Sequence, residues 1–109
     1  MEEMFFSERR KMDILEKTKR LGKYKSKRIA FEQYRKVLKA KLMKEAMLSG
    51  VSSVQAQERE AYADPSYEEL LDALEMAVRI ETELFYELKI FDVEVQVWRT
   101  QQANKRNDI

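Results

Sequence analysis

The chain contains no cysteine and no histidine. Without cysteine it has no disulfide, no thiolate metal site and no cysteine nucleophile. Without histidine it lacks the commonest general base of enzymes and the commonest ligand of transition metals. Two glycines and one proline leave little material for tight hairpin turns or phosphate-cradling loops. These absences favour helices, and they predict a protein that is not an enzyme and uses no cofactor.

Long apolar runs are missing as well. No stretch of about 18 apolar residues occurs, so we expect no helix that crosses a membrane. The first seven residues have no basic start followed by an apolar segment, so they do not resemble a signal peptide. With 109 residues, of which 44% are hydrophobic and 38% charged, the chain is predicted to fold as one domain, residues 1–109.

Charge is distributed unevenly along the chain. Residues 1–48 hold 15 Lys/Arg and 7 Asp/Glu, a net charge of +8, whereas residues 49–109 hold 6 and 13, a net charge of −7. This divides the predicted domain into a basic helical N-terminal region, 1–48, and an acidic region, 49–109. Such asymmetry indicates either nucleic acid or another acidic partner, or a basic half that lies against the acidic half.

Two helices are predicted in the basic region. The first runs from about Ser7, which can cap it, to Leu21, with Gly22 as its stop. The second runs from about Ser26 to Leu48 and ends at Ser49-Gly50. Steps of three and four residues place one set of apolar side chains on a common face for burial: Phe31, Tyr34, Leu38 and Leu42.

The acidic region is predicted to form a short helix and a long one. Ser52 or Ser53 caps the short helix, Gln55 or Gln57 reaches back to its first N–H groups, and Ala63-Asp64-Pro65 ends it after Tyr62. Ser66 and Glu69 form a capping box that opens a helix to Gln102, about 55 Å long. A seam with steps of three and four follows this helix: Tyr67, Leu70, Leu74, Ala77, Glu81, Leu84, Leu88, Phe91, Val95, Trp98 and Gln102.

A sustained seam of this kind is typical of helical hairpins, bundles and coiled coils. We therefore predict an all-α fold with one long C-terminal helix. This helix exceeds the ~35 Å diameter of a compact domain of this size, so it must protrude or pack against another subunit, and we expect an oligomer. The core of the hairpin and oligomer is predicted to be Leu70, Leu74, Leu84, Leu88, Phe91, Val95 and Trp98. Ile90, Val93 and Val97 would add a second apolar edge for a neighbouring copy.

Residues 90–98 admit a second interpretation. Phe91 to Trp98 alternate strictly between apolar and polar, which in isolation is typical of a strand. Helix is preferred because no turn separates the segment from the preceding helix and no second strand is present to pair with it.

The basic residues of the second helix are the strongest functional signal. Lysine and arginine neutralise the closely spaced phosphates of DNA, and neighbouring tyrosines such as Tyr24 and Tyr34 can stack on bases. A solvent-facing stripe is expected from Lys25, Arg28, Arg35, Lys36 and Lys39. The predicted nucleic-acid-binding residues are Lys23, Lys25, Lys27, Arg28, Arg35, Lys36 and Lys39. The alternative is an ordinary solvated face that the acidic half balances.

Part of the chain resembles a known family. A motif followed by a long helix resembles a family of small, largely uncharacterised helical proteins of tailed bacteriophages and prophages. The motif reads Val54-x-x-x-Glu58-Arg59-x-x-Tyr62-Ala63-x-Pro65-x-Tyr67, and the long helix ends in Trp98-Arg99-Thr100. The resemblance covers about residues 50–104. Members of this family tend to be encoded among early phage genes for recombination and replication, so the resemblance implies action in the cytoplasm of an infected bacterium.

Together these features predict a non-enzymatic accessory protein that binds DNA, as single strands or recombination intermediates, and assists a phage recombinase or replication factor. The alternative is an oligomeric interaction module, such as an inhibitor of a host nuclease or defence protein, that never contacts DNA. The two differ in whether Arg28, Arg35, Lys36 and Lys39 are exposed together or pair with acidic residues such as Glu75, Glu83 or Glu87.

Overall fold

The computed structural model describes residues 7–107, in which three α-helices follow one another along the chain. Helix α1 is Glu8–Leu48, helix α2 is Val54–Ala63, and helix α3 is Pro65–Asn107. No β-strand occurs in this described range, which confirms the all-α prediction. Residues 91–98 are helical, so the strand alternative for this segment is excluded.

Helix α1 is one element where two were expected. Ser7 caps it as predicted, since the Arg10 backbone N–H donates to the Ser7 Oγ at 3.1 Å. Gly22, however, lies inside the helix and does not end it. A glycine inside a helix costs about 1 kcal/mol relative to alanine, and half-buried Leu21 and Tyr24 flank it on both sides in sequence. The packing of the helix on both sides of Gly22 therefore outweighs the tendency of glycine to end a helix.

The true stop of α1 is Ser49-Gly50, as predicted. Gly50 has a φ of 107°, in the left-handed region where a side chain would be strained. Its N–H donates to the Met47 carbonyl at 3.2 Å, and the Val51 N–H donates to the Ala46 carbonyl at 3.0 Å. These two bonds satisfy the last carbonyls of the helix and form a Schellman motif.

Helix α2 begins as predicted but uses its glutamine differently. The Ser53 side chain caps it by accepting the Ala56 N–H at 3.1 Å. Gln57 does not reach back to a backbone N–H group. Its amide Nε2 instead donates to the Val51 carbonyl at 2.8 Å, and the side chain is buried. It thereby ties the connection between α1 and α2 to the first turn of α2.

Helix α3 starts one residue earlier than expected because Asp64, not Ser66, supplies the cap. The Asp64 Oδ1 accepts the Ser66 N–H at 2.9 Å and the Ser66 hydroxyl at 2.6 Å. Both hydrogen bonds lower the pKa of Asp64 below its ordinary value, and the bond from the Ser66 hydroxyl has the larger effect. Pro65 occupies the first helical position, where its missing N–H costs nothing. The predicted capping box of Ser66 and Glu69 is therefore wrong, and the helix extends beyond Gln102 to Asn107.

The chain divides into two compact units. Residues 23–79 form the central unit, and the described residues 7–22 and 80–107 belong to the terminal unit. The hydrophobic core of the central unit consists of Leu38, Leu42, Ala61, Tyr67 and Leu70, with Phe31 and Met43 packed against it. This confirms three of the four apolar residues predicted for the buried face of α1. Tyr34 is the exception, because 46% of it is exposed.

The terminal unit pairs the first turns of α1 with the second half of α3 in antiparallel order. Arg10 binds Glu94 at 2.9 Å, and Lys17 binds Glu87 at 3.1 Å. The Arg10 guanidinium also lies 5.3 Å from the centre of the Phe91 ring. Among the described residues of this unit Leu84 alone is buried.

The residues predicted for the seam of α3 are all buried or half-buried. Leu70 and Leu84 are buried, each in its own unit. The other five of the seven predicted core residues are half-buried: Leu74, Leu88, Phe91, Val95 and Trp98. The heptad spacing therefore located the side of α3 that packs within this chain.

Candidate nucleic-acid interface

The seven predicted DNA-binding residues do not share one environment. Arg28 and Lys39 are half-buried, so the expected solvent-facing stripe is interrupted at both positions. The other five are exposed: Lys23, Lys25, Lys27, Arg35 and Lys36. All seven lie on α1 within the central unit.

Lys39 is committed to an internal contact. Its ammonium binds the Glu58 carboxylate of α2 at 2.8 Å and lies 5.0 Å from the centre of the Tyr62 ring. The hydrogen bond to Glu58, followed by that to Tyr62, raises the pKa of Lys39 above its ordinary value. The contact ties α1 to α2, so this lysine has a structural role that spacing along α1 could not reveal.

Arg28 lies four residues before Glu32 on α1, and its Nη1 is 3.3 Å from a Glu32 carboxylate oxygen. Spacing of this kind places the two side chains on neighbouring turns of one helix face. Glu32 is the single acidic residue between Lys17 and Lys44. The one carboxylate of the basic segment is therefore used to balance a half-buried arginine.

Four of the five exposed cations occupy two sides of α1, and Arg35 lies between those two sides. Each residue advances an α-helix by about 100°, so residues four apart share a face and residues two apart point in nearly opposite directions. Lys23 and Lys27 therefore share one side, whereas Lys25 and Lys36, eleven residues apart, share the other. No ion pair of the described range includes any of the five.

The side that carries Lys23 and Lys27 continues along the helix with two further lysines. Lys27, Tyr34 and Lys41 follow one another at intervals of seven residues, and all three are exposed. Lys44 is exposed too and lies three residues beyond Lys41, on the same side. We call this surface the basic face: Lys23, Lys27, Tyr34, Lys41 and Lys44.

Lys41 and Lys44 were not among the predicted site residues. The seven-residue interval from Lys27 through Tyr34 leads to Lys41, and Lys44 follows three residues further on. The apolar periodicity of α1 instead predicts Tyr34 on the buried face, although Tyr34 is also predicted to stack on bases. Placing Tyr34 in solvent adds an aromatic ring to the basic face and connects its two ends.

Tyr24 lies beside the N-terminal end of the basic face. The Lys27 ammonium is 5.0 Å from the centre of its ring and the Lys23 ammonium 6.0 Å. Such cation–π contacts restrain two flexible side chains, each worth about 0.5–1 kcal/mol at exposed sites. Two positive charges are thus held close together on one turn of helix.

A second exposed surface lies in the terminal unit and is apolar. Tyr86, Ile90, Val93 and Val97 are 59%, 61%, 57% and 52% exposed, respectively. They follow α3 at intervals of four, three and four residues, and a groove of about 540 Å³ runs along them. Ile90, Val93 and Val97 are the predicted second apolar edge. We call these four residues the apolar stripe.

Within residues 7–107, no group of three or more acidic side chains is placed to hold a metal ion. None of the described helices combines the length and apolar character needed to cross a bilayer.

Comparison with protein-family models, with curated proteins and with solved structures finds no match to this chain.

Proposed function

We propose that this protein is a non-enzymatic DNA-binding protein that holds single strands along the basic face of α1. The observation that carries the proposal is the row of Lys23, Lys27, Lys41 and Lys44, all exposed on one side of the helix with exposed Tyr34 among them. From Lys23 to Lys44 the row extends for about 32 Å at ~1.5 Å per residue.

The chemistry of the face suits a flexible polyanion. Each lysine that neutralises a phosphate releases a condensed counterion, which makes binding favourable at low salt. Tyr34 offers a ring on which any base can stack, a contact worth about 1–3 kcal/mol and tolerant of sequence. A single strand can present both phosphates and unstacked bases to one helix side, whereas duplex DNA offers only its phosphates there. Single strands are therefore the preferred substrate.

The biological setting follows from the resemblance of residues 50–104 to small phage proteins. In that setting the protein would act in the cytoplasm of an infected bacterium, on single-stranded DNA or recombination intermediates. It would assist a phage recombinase or replication factor by organising its substrate. The chemistry would remain with the partner enzyme.

The experiment is a fluorescence-anisotropy titration of labelled single- and double-stranded oligonucleotides at two salt concentrations. Four phosphate contacts give a slope of log K against log salt of about −2.8 for single strands, so affinity falls about fiftyfold between ~50 and ~200 mM salt. Single strands should bind more tightly than duplex at both concentrations. No binding at ~50 mM salt, by protein whose circular dichroism is helical, would contradict the proposal.

The apolar stripe favours a second candidate function, an oligomeric module that inhibits a host nuclease or defence protein. Exposed apolar surface of this kind commonly marks a protein-binding site. This function predicts no DNA affinity, saturable inhibition of a purified host nuclease, and loss of inhibition in Ile90→Glu. The anisotropy titration therefore separates the two candidates directly.

A further inference from the structure

We propose that the apolar stripe of α3 is the site at which a second copy of this chain docks, with the two α3 helices parallel. Tyr86, Ile90, Val93 and Val97 repeat at intervals of four, three and four residues, which is the spacing of a coiled-coil contact. The seam of α3 faces α1, and the stripe lies on a different side of the helix. The stripe can therefore join two copies without disturbing the packing within either.

The charges beside the stripe select its occupant. Glu87 and Glu94 flank it on one side and Lys89 flanks it on the other. In a parallel pair of helices with Ile90 and Val97 at heptad positions a and with Tyr86 and Val93 at positions d, Lys89 lies at position g and Glu94 at position e. A residue at g faces the residue five positions later, at e, on the partner helix. Lys89 of each copy thus faces Glu94 of the other, and the twofold symmetry makes this ion pair twice.

Glu94 can accept this second cation. Its Oε2 binds Arg10 at 2.9 Å, and 44% of its side chain remains exposed. The carboxylate has a second oxygen, Oε1, available for a donor from outside. Lys89 is exposed, with its ammonium 5.5 Å from the Phe85 ring centre. Both members of the intermolecular pair therefore already lie at the surface.

The antiparallel arrangement is disfavoured by the same charges. Pairing Ile90 with Val93 of the second copy, the register that buries all four stripe residues, would bring Glu87 against Glu94 of the second copy. Symmetry repeats this contact, so two pairs of like charges would meet at the edge of the interface. Like charges placed directly opposite each other destabilise a contact.

The expected dimer is of moderate strength. Four side chains per copy bury less than the ~800 Å² per partner that is typical of a stable interface. Association should therefore depend on protein concentration, with a mass that rises towards twice the 13.1 kDa of one chain. Dimerisation does not require DNA, so its failure and the failure of the proposed DNA binding are distinguishable.

Cysteine cross-linking tests both the docking site and its direction, because the chain has no cysteine of its own. In a parallel dimer each residue of the stripe lies beside its own copy. Ile90→Cys, Val93→Cys and Val97→Cys should each therefore form a disulfide-linked dimer under mild oxidation. Val54→Cys in the central unit, at a position 65% exposed, is the matched control and should stay monomeric.

Three outcomes would overturn the proposal. Cross-linking of Ile90→Cys only when mixed with Val93→Cys would show an antiparallel dimer. Cross-linking of Val54→Cys to the same extent would show random collision. A mass of one chain at every concentration, with no cross-link at any stripe position, would assign the stripe to a different protein.

A charge reversal provides an independent measurement by analytical ultracentrifugation. Lys89→Glu places glutamate against Glu94 of the second copy and should raise the dimer dissociation constant by about tenfold, equivalent to ~1.4 kcal/mol. Lys36→Glu, an equal change of charge on an exposed residue of the central unit, should leave it unchanged. Equal effects of the two variants would contradict the proposed ion pair.

Discussion

The central and terminal units are built from the same two long helices but are stabilised differently. Of the nine buried residues in the described chain, eight lie in the central unit and one, Leu84, lies in the terminal unit. The central unit adds a third helix, whose Ala61 is fully buried. Ion pairs between helices occur in both units: Lys39–Glu58 in the central unit, and Arg10–Glu94 and Lys17–Glu87, whose side chains are each 31–49% exposed, in the terminal unit.

Burial and charge pairing contribute very different free energies. A fully buried leucine contributes about 1.5–3 kcal/mol, whereas an exposed ion pair contributes about 0–1 kcal/mol. Burial of the described side chains therefore stabilises mainly the central unit, which also carries the basic face. The terminal unit carries the exposed apolar stripe.

The largest expected effect is the loss of stability when a leucine is replaced by alanine, and it should be greater in the central unit than in the terminal unit. Leu42→Ala removes a side chain 8% exposed in the central core and should lower the free energy of unfolding by about 2–4 kcal/mol. Leu88→Ala, at a half-buried position of the terminal unit, should cost about 1 kcal/mol. Urea unfolding followed by circular dichroism measures both. Equal losses would show that the two units contribute alike.

Substitution of the two glycines by alanine should change the stability of the protein in opposite directions. Gly22 is helical and a Cβ there would meet nothing within 4 Å, so Gly22→Ala should stabilise the protein by about 0.5–1 kcal/mol. Gly50 has a φ of 107°, so Gly50→Ala should destabilise it by about 1 kcal/mol. Thermal unfolding of the two variants tests this. A loss of stability in Gly22→Ala would contradict the continuous helix α1.

The smallest effect depends on pH and concerns the contact between α1 and α2. Because the folded pKa of Lys39 is raised above the ordinary value of 10.5, its pairing with Glu58 stabilises the fold below that pH. The contribution is lost as the pH rises through the folded pKa. Lys39→Met should therefore unfold more easily at neutral pH, and its difference from the parent chain should shrink in strong alkali. An unchanged difference would exclude this linkage.

Much of the fold was predictable from periodicity and capping residues. The apolar seam of α3 from Leu70 to Trp98 was found because heptad spacing is a property of the sequence alone. The Ser53 cap and the Gly50 stop were found because their backbone chemistry is local. Local signals failed at two positions. Gly22 does not end a helix, because α1 continues through it, and Ser66 does not cap α3, because the neighbouring Asp64 supplies the cap.

The candidate site was predictable only in part. Charge density indicated α1, which carries the proposed basic face, but Lys39 binds a glutamate nineteen residues later, and no spacing rule reveals such a partner. Tyr34 matched the buried face by period and is nevertheless exposed. Once Tyr34 is placed in solvent, Lys41 and Lys44 join the same side. The tertiary packing therefore determines which basic residues of α1 are accessible together.

The most direct test of the proposed function compares two variants of equal charge. Lys23→Glu/Lys27→Glu/Lys41→Glu reverses the basic face, and Lys25→Glu/Arg35→Glu/Lys36→Glu reverses the same number of exposed cations elsewhere on α1. Titrated with single-stranded DNA at ~150 mM salt, where charges beyond about 8 Å are screened, the first should abolish binding. The second should weaken it by about threefold at most. Equal losses would show that only net charge matters and would contradict a DNA site on the basic face.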